Sequence, residues 1–76
     1  MAIQDEVLAG MVRNAIARDK RIGGQAIAVR VADGEVFLKG IVDDNEQLEL
    51  SSFVAHGVSG VRQVNVDELR VREATE

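Results

Sequence analysis

The sequence predicts an α+β fold, a two-layer αββαβ sandwich with two helices on one face of a three-stranded mixed sheet. Three observations carry that prediction. Residues 27–42 alternate apolar and polar side chains on both sides of an Asp33-Gly34 pair. Two segments with apolar residues at helical spacing flank this stretch, one before and one after. A third β-rich run, GVRQVNVDELRVRE, closes the chain. A strand, a helix and a strand in succession form a crossover, whose right-handedness puts the second helix on the same sheet face as the first and makes the third strand parallel to the second.

The first helix is predicted over residues 3–20. Ile3, Val7, Leu8, Met11, Val12, Ala15 and Ile16 recur at helical spacing, and Ile22 extends that face beyond a basic turn. Gly23-Gly24 is read as the end of the helix and the lead into the sheet. The hairpin strands are predicted over 26–32 and 35–42. A two-residue type I′ turn needs positive φ at both central positions, which Asp33 tolerates and Gly34 adopts freely. With that turn Val31 faces Val36, Val29 faces Leu38 and Ile27 faces Gly40, all on the core side. The second helix is predicted over 44–56. Asp43 with Glu46, or Asp44 with Gln47, has the spacing of a capping box. Gly57 is expected to supply a left-handed C-cap, and Gly60 a turn into the last strand, predicted over 60–71. Val61, Val64, Val66, Leu69 and Val71 cannot share one face under a strict two-residue period, so a bulge is expected near Asp67-Glu68.

Composition bounds the function. Seventy-six residues, 46% hydrophobic and 29% charged, describe one domain with a thin core, which makes association plausible from size alone. There is no cysteine, which removes disulfides, thiolate chemistry and sulfur-ligated zinc together. The net charge of -4 argues against a nucleic-acid partner, because such affinity comes from clustered Lys and Arg. The first residues carry acids and no long apolar run, so the chain as written is expected to be cytoplasmic. Arg13, Arg18, Lys20 and Arg21 gather late in the first helix, while Asp43, Asp44, Glu46 and Glu49 gather early in the second. Helix dipoles favour both placements; a two-ended surface for head-to-tail association is the sharper reading.

No catalytic constellation emerges, and the chain is read as a non-enzyme without cofactor or metal. His56, the single histidine, fits a helix-end interaction better than a catalytic or metal role. The run Asp43-Asp44-Asn45-Glu46 lacks the alternation and internal Gly of a calcium loop and fits N-capping. Gly23-Gly24 lacks the Lys and hydroxyl residue of a phosphate-binding loop. The two aromatic residues do not fall into the core. Phe37 lies on the opposite sheet face with Ile41, across from Arg30, and Phe53 projects from the second helix with Leu50 at its flank. These four residues are the candidate anchors for a partner.

The pattern Asp5, Leu8, Val12, Ala15-Ile16, Asp19, Ile22, Ile27, Val29, Val31, Asp33-Gly34, Val36, Leu38, Gly40, Val42, Glu46, Val54-Ala55, Val58 and Gly60-Val61 resembles the BON domain. The match spans nearly the whole of residues 1–76, and Gly34, Gly40 and Gly60-Val61 carry most of its specificity. Ser51 stands where the family prefers Ala, and the last strand is about one residue longer than the usual pattern. The resemblance implies an αββαβ fold and a role as a phospholipid-binding or membrane-associated interaction module. Such domains occur in bacterial osmotic-stress, transport-associated, periplasmic and envelope proteins. The expectation is therefore a binding module acting by self-association or on a protein partner, with a phospholipid or membrane surface as the alternative.

Overall fold

The structure, a computed structural model, describes residues 4–72. The element order is α1 (Asp5–Arg18), β1 (Ala26–Ala32), β2 (Glu35–Val42), α2 (Asn45–His56) and β3 (Gln63–Val71). The sheet order is β1-β2-β3, with β1 antiparallel and β3 parallel to the central β2. Helix α1 packs on β1, α2 on β3, and the two helices touch each other, so both lie on one sheet face. This is the α+β sandwich that the sequence predicts.

The hairpin forms in the predicted register, with Val31 opposite Val36, Val29 opposite Leu38 and Ile27 opposite Gly40. Asp33 at φ 53° and Gly34 at φ 80° make the two-residue turn. The Asp33 N–H donates to an Asp5 carboxylate oxygen at 3.0 Å, and Arg62 N–H donates to the Gly34 carbonyl at 2.8 Å. The turn thus ties the start of α1 to the entry of β3. Gly40 sits at φ 142°, where a Cβ would overlap the Ala26 carbonyl oxygen, so only glycine lets β1 close on β2 there.

In β3 the pairing advances from Asn65 opposite Phe37 to Glu68 opposite Lys39. Two residues, Val66 and Asp67, therefore stand against Leu38, placing the bulge one residue ahead of its predicted centre. The Asp67 N–H that leaves the ladder donates to the Asn65 side-chain oxygen at 2.9 Å. The reset of phase lets Val64 before the bulge, Val66 within it, and Leu69 and Val71 after it join one core with Val12, Ile16, Ile22, Val36, Leu38, Val42 and Ala55.

Several boundaries differ from the sequence reading. Helix α1 ends at Arg18, two residues early, because Asp19 leaves the helical region and its carboxylate accepts from the Arg21 N–H at 2.9 Å. That side-chain capture offers the backbone an alternative to another helical turn. Ile22 and Gly23 then donate to the Asp19 carbonyl, so Asp19, and not Gly23-Gly24, closes the helix. The predicted start at Ile3 lies outside the described residues. Helix α2 starts at Asn45, with Asp44 as N-cap accepting from Gln47 N–H at 3.0 Å. The Gln47 side chain accepts in return from the Asp43 backbone N–H at 2.9 Å, so Asp44 is the acid that caps the helix and Asp43 joins only through its backbone.

Gly57 is not left-handed: its φ is -75° and its N–H still donates to Phe53 and Val54 carbonyls. Tight turns continue the path, with Val58 donating to Ala55 and Val61 to Val58, and the reversal falls on Gly60 at φ 103°. β3 consequently opens at Gln63, opposite Glu35, instead of at residue 60.

Candidate interaction surfaces

The sheet face away from the helices carries the first pair of candidate anchors. Alternation places Arg30, Phe37, Lys39 and Ile41 there, joined by Asn65, Glu68 and Arg70 from β3 through their pairings. No described element covers this face. The Arg30 guanidinium lies 4.5 Å from the centroid of the Phe37 ring, a cation–π contact of about 0.5–1 kcal/mol at an exposed site. Phe37 is therefore half-buried, capped by Arg30 on one side. Beside it Ala28, Arg30, Phe37, Lys39 and Glu68 line an open depression of about 350 Å³. Ile41 remains 42% exposed near the end of β2.

The second pair lies on α2. Ser51 and Ala55 define its buried side, Ser51 with its hydroxyl donating to the Gln47 carbonyl at 2.8 Å. Phe53 stands almost diametrically opposite that side at 100° per residue, and it is 74% exposed. Leu50 is half-buried on the flank of the same ridge. Glu46 and Glu49 lie on the same outer side, one or two turns earlier. The result is a large rigid apolar side chain standing in water among carboxylates. Phe37 and Ile41 share one surface and Leu50 and Phe53 another, on opposite layers of the sandwich.

Two exposed apolar residues escaped the sequence reading. Val7 and Met11, assigned above to the core face of α1, are 54% and 38% exposed, while Leu8, Val12 and Ile16 are buried. The warning was in the width of the stripe: at 100° per residue the seven apolar positions span well over half the helix circumference, more than one packed face can bury.

One member of each charged cluster, Arg21 and Asp43, forms a local ion pair. Arg21 and Asp19 form an ion pair at 2.7 Å on the surface, supported by the Arg21 Nε–H at 3.0 Å. Hydrogen bonds from the Arg21 side chain and then its backbone N–H hold the Asp19 carboxyl well below its ordinary range, at about 2. Asp43 stands 3.6 Å from Arg72 and accepts from Gln25 Nε2 at 3.4 Å. His56 is exposed in the last turn of α2. Among the described residues no three His, Cys, Asp or Glu side chains come together in a way that would hold a metal ion. No described helix is long and apolar enough to cross a membrane.

A family model, the BON domain, matches residues 4–73. The chain belongs to the BON domain family. No curated protein matches it. Among solved structures, this BON domain is similar to the C-terminal domain of CdsD, the structural protein of the type III secretion system of Chlamydia trachomatis. That likeness has a TM-score of 0.73 at 14% identity and covers 93% of this chain but 35% of the other, so it shows a shared fold. The BON domain thus spans about a third of that solved chain.

Proposed function

We propose that this BON domain is a non-catalytic module that binds protein, a further copy of itself or a different chain, through apolar side chains on its surface. Phe53 carries the reading. A phenylalanine three-quarters exposed on the outermost ridge of a helix contributes nothing to the core, and large aromatic side chains dominate interface energetics. Phe37 with Ile41 is the second anchor, weakened as such by the guanidinium already stacked on the ring. The fold shared with a domain of a secretion-system structural protein supports assembly over catalysis. The second reading, peripheral binding to phospholipid, draws on Val7, Met11 and Arg18, which line one strip of α1 as an apolar stripe ending in a cation.

One experiment separates these readings. The chain is immobilised as wild type, Phe53→Ser and Phe37→Ser, exposed to extract of the source cell and to added free chain, and in parallel sedimented with neutral and anionic vesicles. The proposal expects a protein retained by the wild type and lost from Phe53→Ser, with no difference between vesicle types. Equal retention by all three chains contradicts it, as does binding to anionic vesicles alone.

A further inference from the structure

Edge strands are a liability that folds ordinarily blunt with charges, proline, bulges or a cover. The two edges of this sheet differ in that respect. β3 is bulged at Val66-Asp67 and carries Asp67, Glu68 and Arg70. β1 is seven residues long, AIAVRVA, with an unbroken register, no proline and a single charge. That charge, Arg30, is turned inward over the Phe37 ring of β2, so it does not guard the edge. Alternate backbone N–H and C=O groups of β1 point away from β2 along this edge, where the Ile27 N–H donates to the Gln25 carbonyl at 3.0 Å and would have to exchange that partner on pairing.

Helix α1 borders the same edge. Glu6, Ala9 and Arg13 line an open depression of about 410 Å³ together with Val29, Arg30 and Val31. Val29 and Val31 face the helices and Arg30 faces the other way, so a depression touching all three lies on the edge itself. Gly10 follows on this flank. A Cβ there would meet nothing within 4 Å, so no packing within the chain requires a glycine in mid-helix. Gly10 instead leaves room for a second helix to approach.

We propose that the β1 edge pairs with the β1 edge of a second copy, antiparallel about a two-fold axis at Val29, to give a continuous six-stranded sheet. Two features choose a second copy over any other strand. The strand is its own antiparallel complement: centred on Val29, Ile27 meets Val31, Ala26 meets Ala32, and each Arg30 lies opposite an Ala28, with no like charges facing. The same axis sets α1 antiparallel to its copy, so the acidic first turn, Asp5 and Glu6, runs beside Arg13, which lines the same depression. The inference rests on the reading of the chain as a protein-binding module and names one partner and one surface for it.

Ala28 is exposed on the outer face, away from the core and opposite Lys39 of its own chain, so a charge placed there tests the register while the fold is checked separately. Ala28→Lys places a like charge against each partner Arg30, and Ala28→Glu an opposite one. Sedimentation equilibrium from micromolar to millimolar chain is expected to show a wild-type dimer, weakened about tenfold by Ala28→Lys and strengthened by a similar factor in Ala28→Glu. Circular dichroism monitors the fold of each variant. A wild type monomeric throughout overturns the inference, as does a dimer that both substitutions leave unchanged. A dimer indifferent to residue 28 and lost in Phe53→Ser overturns the edge pairing while leaving the Phe53 anchor standing. A dimer controlled by residue 28, with nothing lost in Phe53→Ser, upholds the edge pairing against that anchor.

Discussion

Gly40 and Gly34 occupy backbone conformations that no β-branched residue adopts without strain, and each has a second reason for lacking a side chain. At Gly40 the Ala26 carbonyl fills the place of a Cβ; at Gly34 a Cβ would stand 2.8 Å from the Arg62 side chain. Gly40→Ala is expected to destabilise by about 3 kcal/mol or more, because the clash is with backbone and cannot be relieved by a rotamer change. Gly34→Val is expected to cost about 1–3 kcal/mol, since the Arg62 side chain can swing aside but the positive φ remains. Chemical denaturation of both variants checks the order, and an unchanged Gly34→Val would contradict the type I′ turn. At Asp19 the carboxyl is held at about 2 by its bonds to Arg21. A depressed folded value means that the interaction stabilises fully above the ordinary carboxylate pKa of about 4 and is lost as pH falls from there toward 2. Asp19→Asn is therefore expected to flatten the acid limb of the stability profile in that window and to leave its slope near neutrality unchanged. Thermal melts over a pH series read this directly.

At the scale of elements, α1 holds a correctable weakness. Gly10 lies in mid-helix with open space around its missing Cβ, so Gly10→Ala is expected to raise stability of the dilute chain by about 1 kcal/mol through helix propensity alone. On α2, His56→Ala is expected to cost at most about 1 kcal/mol through the lost helix-end interaction, with no bound metal to lose. Elements governed by local chemistry were legible in the sequence: the Asp33-Gly34 turn fixes the hairpin register, and the phase slip between Val66 and Leu69 announces the bulge. The end of α1 and the conformation of the residue that follows α2 were less so. Asp19 closes α1 by a hydrogen bond to Arg21 that competes with helix continuation only once both side chains are placed, and Gly57 stays right-handed because Val58 and Val61 carry the turn on to Gly60. Facing was legible where a strand alternates strictly, as at Phe37, and on α2, where Phe53 stands opposite Ser51 and Ala55. It failed at Val7 and Met11, because periodicity gives a direction on a helix and not the width of the surface packed against it.

Across the whole molecule, a small core coexists with apolar side chains left in water on two separate layers: Val7, Met11 and Phe53 on the helical side, Ile41 on the sheet side. None of them belongs to the buried core cluster. The core residues can be checked apart from the surface ones: Leu38→Ala, at the centre of the buried cluster, is expected to cost about 2–5 kcal/mol, whereas Phe53→Ser leaves the melting midpoint nearly unmoved. The most direct test of the interaction claim is the affinity of wild type and Phe53→Ser for the protein retained by the immobilised chain. A loss of about 2 kcal/mol or more in Phe53→Ser, with unchanged circular dichroism, is the predicted result; equal affinity of the two folded chains would contradict it.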